Sequence, residues 1–187
     1  MPTNSALIEQ ELLAIRCQLG EGAAFDDLVA RWHSPLWQYV RRMADRDEIA
    51  NEIIQETWLR VLRGIVRLDD AKKLVPWMFG IARHVMLDRL RQKYKQESLL
   101  ENARHDLKTS VDDSDEIDRL EDIVQLLDKL ETLAMPQREL LTLYYLDELS
   151  IEEVAELIGV PPGTVKSRLF QARKTLKQAL TTKETAR

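Results

Sequence analysis

Few side chains in this chain have the types and spacing that catalysis asks for. Cys17 is the single cysteine, and His33, His84 and His105 lie far apart. No internal disulfide, multi-cysteine metal site or histidine pair at ligand spacing can be built from them. A Gly-rich phosphate loop and an activated Ser or Cys context are also missing, so no enzymatic function is expected and no cofactor is implied. Cys17 reads either as a small buried helix residue or as a reactive thiol, and the three histidines as structural or solvated. What the sequence does offer is recognition of an anion. In "GVPPGTVKSRLFQARKTL", Gly159 to Leu176, a helical step of 100° per residue gathers Val165, Leu169, Ala172 and Leu176 on one face. Thr164, Ser167, Arg168, Gln171 and Lys174 then point the other way. From Pro161 onward seven basic residues meet one acid, in a chain of net charge −5 and pI ≈ 5.4. Local sign governs contact with a polyanion, so this end suits nucleic acid despite the overall charge.

The elements that must position these residues are helical. Six Gly and six Pro among 187 residues leave few tight turns, and 44% apolar with 32% charged residues permits a core. Leu7, Ile8, Leu12, Ile15 and Leu19 form a stripe that predicts a first helix, stopped by Gly20 and Gly22. Phe25, Leu28, Val29, Trp32, Leu36, Tyr39, Val40 and Met43 predict a second, which Pro35 kinks or splits. Asp47 or a neighbour caps a third, with Ile49, Ile53, Trp58, Leu59 and Leu62 as its buried side. A fourth has Pro76 in its first turn, is apolar through Trp77, Phe79, Ile81, Val85, Met86 and Leu90, and then turns basic. An acidic stretch follows, with Asp112, Asp113, Asp115, Glu116 and Asp118, and reads as a linker with helical segments at its ends. Two amphipathic helices come next, Pro136 opening the second. Ser150 and Glu153 form a capping box for a short helix, Gly159 supplies a positive-φ turn, and Pro161 or Pro162 starts the last helix.

The expected fold class is therefore all-α: two small helical domains, 1–95 and 123–187, joined by an acidic flexible linker at 96–122. The C-terminal domain has the layout of a helix-turn-helix, although a solvated charged helix in an ordinary bundle would share its charge. No apolar run reaches the ~20 residues of a membrane span, and the N-terminus lacks the basic and apolar regions of a signal peptide. The protein is expected in the cytoplasm, with no membrane contact of its own.

The stretch "EEVAELIGVPPGTVKSRLFQARKTL" resembles the DNA-binding end of bacterial RNA polymerase sigma factors, particularly the extracytoplasmic-function (ECF) group. Upstream, "FDDLVARWHSPLWQYVRRMA", "DEIANEIIQETWLRVLRG" and "VPWMFGIARHVMLDRLRQKYK" resemble the first domain of that group in order and spacing. The resemblance implies a specificity subunit that binds core RNA polymerase and promoter DNA, is commonly held by an anti-sigma factor, and is a monomer when free. It implies polymerase contacts at Asp47, Glu52, Gln55, Glu56 and Arg60. It implies minus-ten recognition and melting by the helix carrying Trp77, Arg83, His84, Asp88 and Arg91, with His84 standing where the family often has Asn. It implies minus-thirty-five contacts by Thr164, Lys166, Ser167, Arg168, Phe170, Gln171, Arg173 and Lys174. The basic fourth helix could hold a single strand by charge, with Trp77 either stacking a base or filling the core. Phe170 could touch a thymine methyl group or a neighbouring helix. The competing reading is a stand-alone dimeric helix-turn-helix regulator on a two-fold operator.

Overall fold

A computed structural model describes residues 4–100, 127 and 129–181. Among these every regular element is helical: α1 (Asn4–Gln18), α2 (Gly22–Met43), α3 (Asp47–Gly64), α4 (Leu74–Leu100), α5 (Met135–Leu141), α6 (Ile151–Ile158) and α7 (Pro162–Thr181). Two 3₁₀ turns, Ile65–Arg67 and Ala71–Lys73, join α3 to α4, and a π-turn at Thr142–Leu146 follows α5. The acidic block at 112–118 and His105 lie outside the described residues. Helix α4 runs on to Leu100, so its backbone extends into the expected linker.

The first domain packs α2, α3 and α4 around Leu28, Leu36, Tyr39, Val40, Ile53, Ile54, Val61, Met78, Phe79, Val85 and Met86, all buried. Tyr39 and Phe79 meet edge to face, centroids 5.3 Å apart. Helix α2 continues through Pro35 rather than being split by it. Two expectations from periodicity are corrected. The stripe Leu7, Ile8, Leu12, Ile15 and Leu19 is exposed, Ile8 by 58%; α1 instead buries Leu13, Ala14 and Cys17. Small Ala14 and Cys17 allow close approach to the domain, and Gln18 ties α1 down by donating to the carbonyls of Ile65 and Leu68. On α3, Leu59 and Leu62 are likewise exposed, and the buried face is Ala50, Ile53, Ile54, Thr57 and Val61, with Ile49 and Trp58 half-buried. Asp47 does not cap α3: Arg46 precedes the helix without a side-chain cap, and Asp47 pairs with Arg41. Its charge still suits the positive end of the helix. Cys17 is buried, and burial raises its thiol pKa, as the inert reading requires.

The second domain follows its local signals closely. Ser150 Oγ accepts from the Glu153 amide at 3.2 Å, while the Glu153 carboxylate accepts from the Ser150 amide at 2.7 Å. Gly159 ends α6 at φ 77°, where a Cβ would be strained. Val154, Ala155, Val165, Leu169 and Ala172 form the buried contact between α6 and α7.

The two domains pack against each other, α5 on α2 and α6 on α4. This seam is polar. Arg138 Nη1 donates to the Arg42 carbonyl at 2.8 Å, and Lys73 pairs with Glu156 at 2.9 Å. Asp147 is tucked beside it, and burial pushes its carboxyl up to about 7, opposed by the charge of Arg42. Among the described residues, Asp147 Oδ2, Arg138 Nε and Thr142 Oγ1 are buried without a hydrogen-bond partner.

Two predictions follow from these local arrangements. Ser150→Ala removes the cap acceptor and should lower unfolding free energy by about 1 kcal/mol in urea titration; an unchanged midpoint would show that the cap contributes nothing. For Asp147, the folded pKa lies above the unfolded value of about 3.9, so the folded chain keeps a proton that the unfolded chain has lost. Stability then falls as pH rises from about 4 to 7. Asp147→Asn should flatten this profile, gaining about 2 kcal/mol on wild type at pH 8 relative to pH 5. Parallel profiles would contradict it.

Candidate nucleic-acid interfaces

On α7 the buried stripe of Val165, Leu169 and Ala172 turns the opposite face to solvent. Lys166, Ser167, Arg168, Phe170, Gln171, Arg173 and Lys174 are all exposed there, and Thr164 is half-buried beside them. Among the described residues, Lys166, Arg168, Arg173 and Lys174 have no ion-pair partner, so their charge is available to phosphate. Ser167 Oγ donates to the Thr164 carbonyl at 3.0 Å, which leaves its lone pairs to accept from a base edge. Phe170 is 59% exposed, which removes the neighbouring-helix alternative in this arrangement. Pro162 opens α7, and the Pro161 carbonyl before it accepts from the amides of Thr164 at 2.8 Å and Val165 at 3.2 Å.

Helix α4 carries the second set. Trp77 is half-buried against the core, and a Cβ on Gly64 would come within 3.1 Å of its ring, so glycine permits this close packing. His84 is exposed; its Nδ1 lies 2.9 Å from the Gly80 carbonyl, and since a carbonyl only accepts, Nδ1 carries the proton. Its Nε2 is left to face solvent. Trp77 and His84 border one groove of about 650 Å³, walled on its far side by Glu153, Glu156 and Leu157 of α6. Arg91 donates to Asp88 at 3.2 Å at the exposed surface. Arg83 differs from the others: its side chain is 18% exposed, and its Nε meets Glu139 Oε1 at 2.9 Å.

The α3 residues sit next to this helix. Glu52 pairs with Arg89 at 3.0 Å; Arg60 donates to Glu56 at 2.8 Å and reaches Asp88 at 3.8 Å. Gln55 is exposed, as are Leu59 and Leu62 further along. Exposed ion pairs of this kind contribute about 0–1 kcal/mol each, so an incoming partner displaces them at small cost.

Sequence periodicity missed Glu139. It is buried, and its Oε1 accepts from both Tyr39 Oη and Arg83 Nε, each at 2.9 Å. Burial and the adjacent carboxylate hold the Tyr39 hydroxyl well above its ordinary pKa, so it stays a donor. A signal was present: Glu139 follows Met135 by four residues and precedes Leu143 by four, which sets a charge on an apolar helical stripe.

Comparison with known proteins places these interfaces in context. Residues 19–96 match the sigma-70 region 2 family and residues 123–176 match sigma-70 region 4. The chain is 30% identical over 164 residues to the ECF RNA polymerase sigma factor SigC of Mycobacterium tuberculosis, covering 88% of this chain and 87% of that one. It is 29% identical over 170 residues to SigW of Bacillus subtilis, an ECF sigma factor, covering 86% and 91%. In fold it is similar to the sigma factor RpoE of Bartonella quintana, solved with the anti-sigma factor NepR, with TM-score 0.69, 20% identity and coverage of 84% and 96%. It is also similar to a solved complex of CnrH with the cytosolic domain of CnrY, with TM-score 0.67, 22% identity and coverage of 92% and 97%.

The α7 surface yields a graded prediction. Lys166→Ala should weaken promoter binding about tenfold, and Arg168→Ala should also reduce the salt slope of log K by about one if its contact is phosphate. Binding isotherms of the polymerase complex at several salt concentrations read both quantities. Full affinity in both variants would reject α7 as the docking face.

Proposed function

The chain belongs to the ECF group of RNA polymerase sigma factors, and from that premise we propose how its surfaces divide the work. Sigma factors are non-catalytic polymerase subunits. Core polymerase docks on the exposed face of α3, through Asp47, Glu52, Gln55, Glu56 and Arg60. The exposed Leu59 and Leu62 beside them support this, since uncovered apolar side chains next to polar ones mark a protein-binding surface. Helix α4, with Trp77, Arg83, His84, Asp88 and Arg91, reads and holds the melted minus-ten strand by charge and stacking. Helix α7 enters the major groove of the minus-thirty-five element with Thr164, Lys166, Ser167, Arg168, Phe170, Gln171, Arg173 and Lys174.

The observation that carries this reading is the order on one chain: a region 2 match, then a region 4 match that ends in an exposed basic recognition helix. The protein works as a monomer in the cytoplasm, bound in turn by core polymerase and by an anti-sigma factor. One fold relative is solved with an anti-sigma factor, which supports the second part. Among the described residues no helix is long and apolar enough to cross a membrane.

The test is transcription from fragmented genomic DNA of the source organism by purified core polymerase, with and without the protein. Discrete new start sites sharing an upstream motif are expected. No new starts, together with a free dimer that binds a palindrome without polymerase, would transfer the assignment to a stand-alone regulator. For the docking face, the double substitution of Gln55→Ala and Glu56→Ala should reduce capture of core polymerase at least fivefold while leaving the helical circular dichroism unchanged. Undiminished capture would remove both residues from the contact surface.

A further inference from the structure

Helix α1 has an apolar face that takes no part in the core, in the DNA-reading surfaces or in the proposed polymerase contact. Leu7, Ile8, Leu12, Ile15 and Leu19 are exposed, from 41% at Ile15 to 75% at Leu19. Leu19 continues the stripe just past the helix, since its amide still bonds the Ile15 carbonyl at 3.0 Å. At 100° per residue, Ile8, Leu12, Ile15 and Leu19 fall within about 60° of one another, and the buried Leu13, Ala14 and Cys17 lie on the opposite side. The helix is thus apolar on two faces, and its own domain covers one of them. Single exposed leucines are ordinary, whereas a contiguous stripe marks a surface that binds.

The spacing of the stripe narrows what it binds. Steps of four, three and four residues from Ile8 to Leu19 are those of the d and a positions of a coiled-coil heptad, so a helix laid along α1 meets a continuous seam. An isolated helix of this length is marginal in water. Here α1 is already ordered on its domain by Leu13, Ala14, Cys17 and the hydrogen bonds of Gln18, so association does not have to fold it. The stripe offers on the order of 500 Å² of apolar surface, and two copies together about 1,000 Å², the lower edge for a specific but weak interface.

The charges beside the stripe favour a second copy of the same chain. Glu9 and Arg16 flank it on one side, Glu11 and Gln18 on the other. In an antiparallel pair with Ile8 opposite Leu19 and Leu12 opposite Ile15, Glu9 of one copy stands against Arg16 of the other, twice by symmetry. Glu11 then stands against uncharged Gln18, and no like charges meet. A lipid surface is a poor match, because helices that lie in membrane interfaces carry Lys and Arg on their polar face, and two of the three charges here are acids. Helix α2 borders the stripe on the Glu9 side: Arg31 pairs with Glu9 and Asp27 with Arg16, each at 3.7 Å. Between the helices runs a groove of about 310 Å³, lined by Glu9, Leu12, Leu13, Arg16, Asp27 and Arg31. Its apolar floor and charged rim take a side chain of one facing helix, and α2 closes the flank that a third copy would need. The ion pairs are exposed, so they exchange partners at small cost.

We propose that α1 is a self-association surface: two copies of the free chain pair through an antiparallel seam of Ile8, Leu12, Ile15 and Leu19, set in register by Glu9 and Arg16. The form proposed to work on polymerase remains a single copy, and the pair belongs to the free chain at high concentration. It uses side chains of neither α4 nor α7.

Sedimentation of the full chain tests this. The average mass should rise from 21.7 kDa at about 5 µM toward twice that value at about 200 µM, as for an interface at the weak end of the range. Leu12→Ser combined with Ile15→Ser should raise the dissociation constant at least about tenfold and leave helical circular dichroism unchanged. Arg16→Glu, and separately Glu9→Lys with Glu11→Lys, should each weaken pairing about fivefold. A mixture of the two charge variants should pair as well as wild type, which neither general stickiness nor lost folding would produce. If the serine variant loses helix, the charge variants decide. A mass of 21.7 kDa at every concentration would overturn the proposal; if the serine variant then also lost capture of core polymerase or of anionic vesicles, the face would pass to that occupant. Undiminished pairing of a folded serine variant, or a mixture that does not recover, overturns it as well. A plateau at four copies, the assembly that Leu at a with Ile at d favours in parallel coils, would overturn the two-copy seam. Start-site mapping fails separately: a chain that initiates but never pairs disproves only self-association, and one that pairs but does not initiate disproves only the sigma assignment.

Discussion

A carboxylate held out of water must be met by donors, and the choice of donors fixes what else the protein can do. In this chain the carboxylate is Glu139, and its donors, Tyr39 and Arg83, come from the other domain. Tyr39 is itself buried against Phe79, so the core of the first domain is continuous with the seam. Arg83 is one of the residues through which that domain would meet DNA. The contact between the domains and the proposed reading of a promoter thus draw on the same guanidinium.

The charge distribution acquires a physical meaning in this light. In an acidic chain with two basic helices, local fields rather than net charge govern contact with a polyanion. Carboxylates from the second domain lie against α4, while among the described residues Lys166, Arg168, Arg173 and Lys174 of α7 have no ion-pair partner. The α3 face proposed to meet polymerase is exposed beside the closed seam.

The sequence was most legible where structure is local. The capping box of Ser150 and Glu153, the turn at Gly159 and the outward face of α7 depend on neighbours within four residues, and the structure agrees with each. Periodicity was weaker where tertiary contact decides which side of a helix is covered. The stripe from Leu7 to Leu19 marks a helix correctly, but the face that packs is the one with Ala14 and Cys17, because small residues allow the closest approach. Leu59 and Leu62 were misassigned for the same reason, and their exposure beside Gln55 became informative about docking. Glu139 was the hardest to read. It is one acid among 32 Asp and Glu residues, and its partners lie 56 and 100 residues away. Only the interruption of an apolar stripe pointed to it, without saying what it would hold.

The central proposal, that one chain reads two separate promoter elements with α4 and α7, is most directly tested by an interdomain distance. Spin labels at Asp26→Cys on α2 and Glu152→Cys on α6 report it, since both positions are exposed and the buried Cys17 is replaced by Ser. Pulsed electron resonance of free protein should give one short, narrow distribution. In complex with core polymerase and promoter DNA, that distribution should be replaced by a longer one. The same distribution in both samples would contradict the account, because the promoter would then be read with the domains still closed.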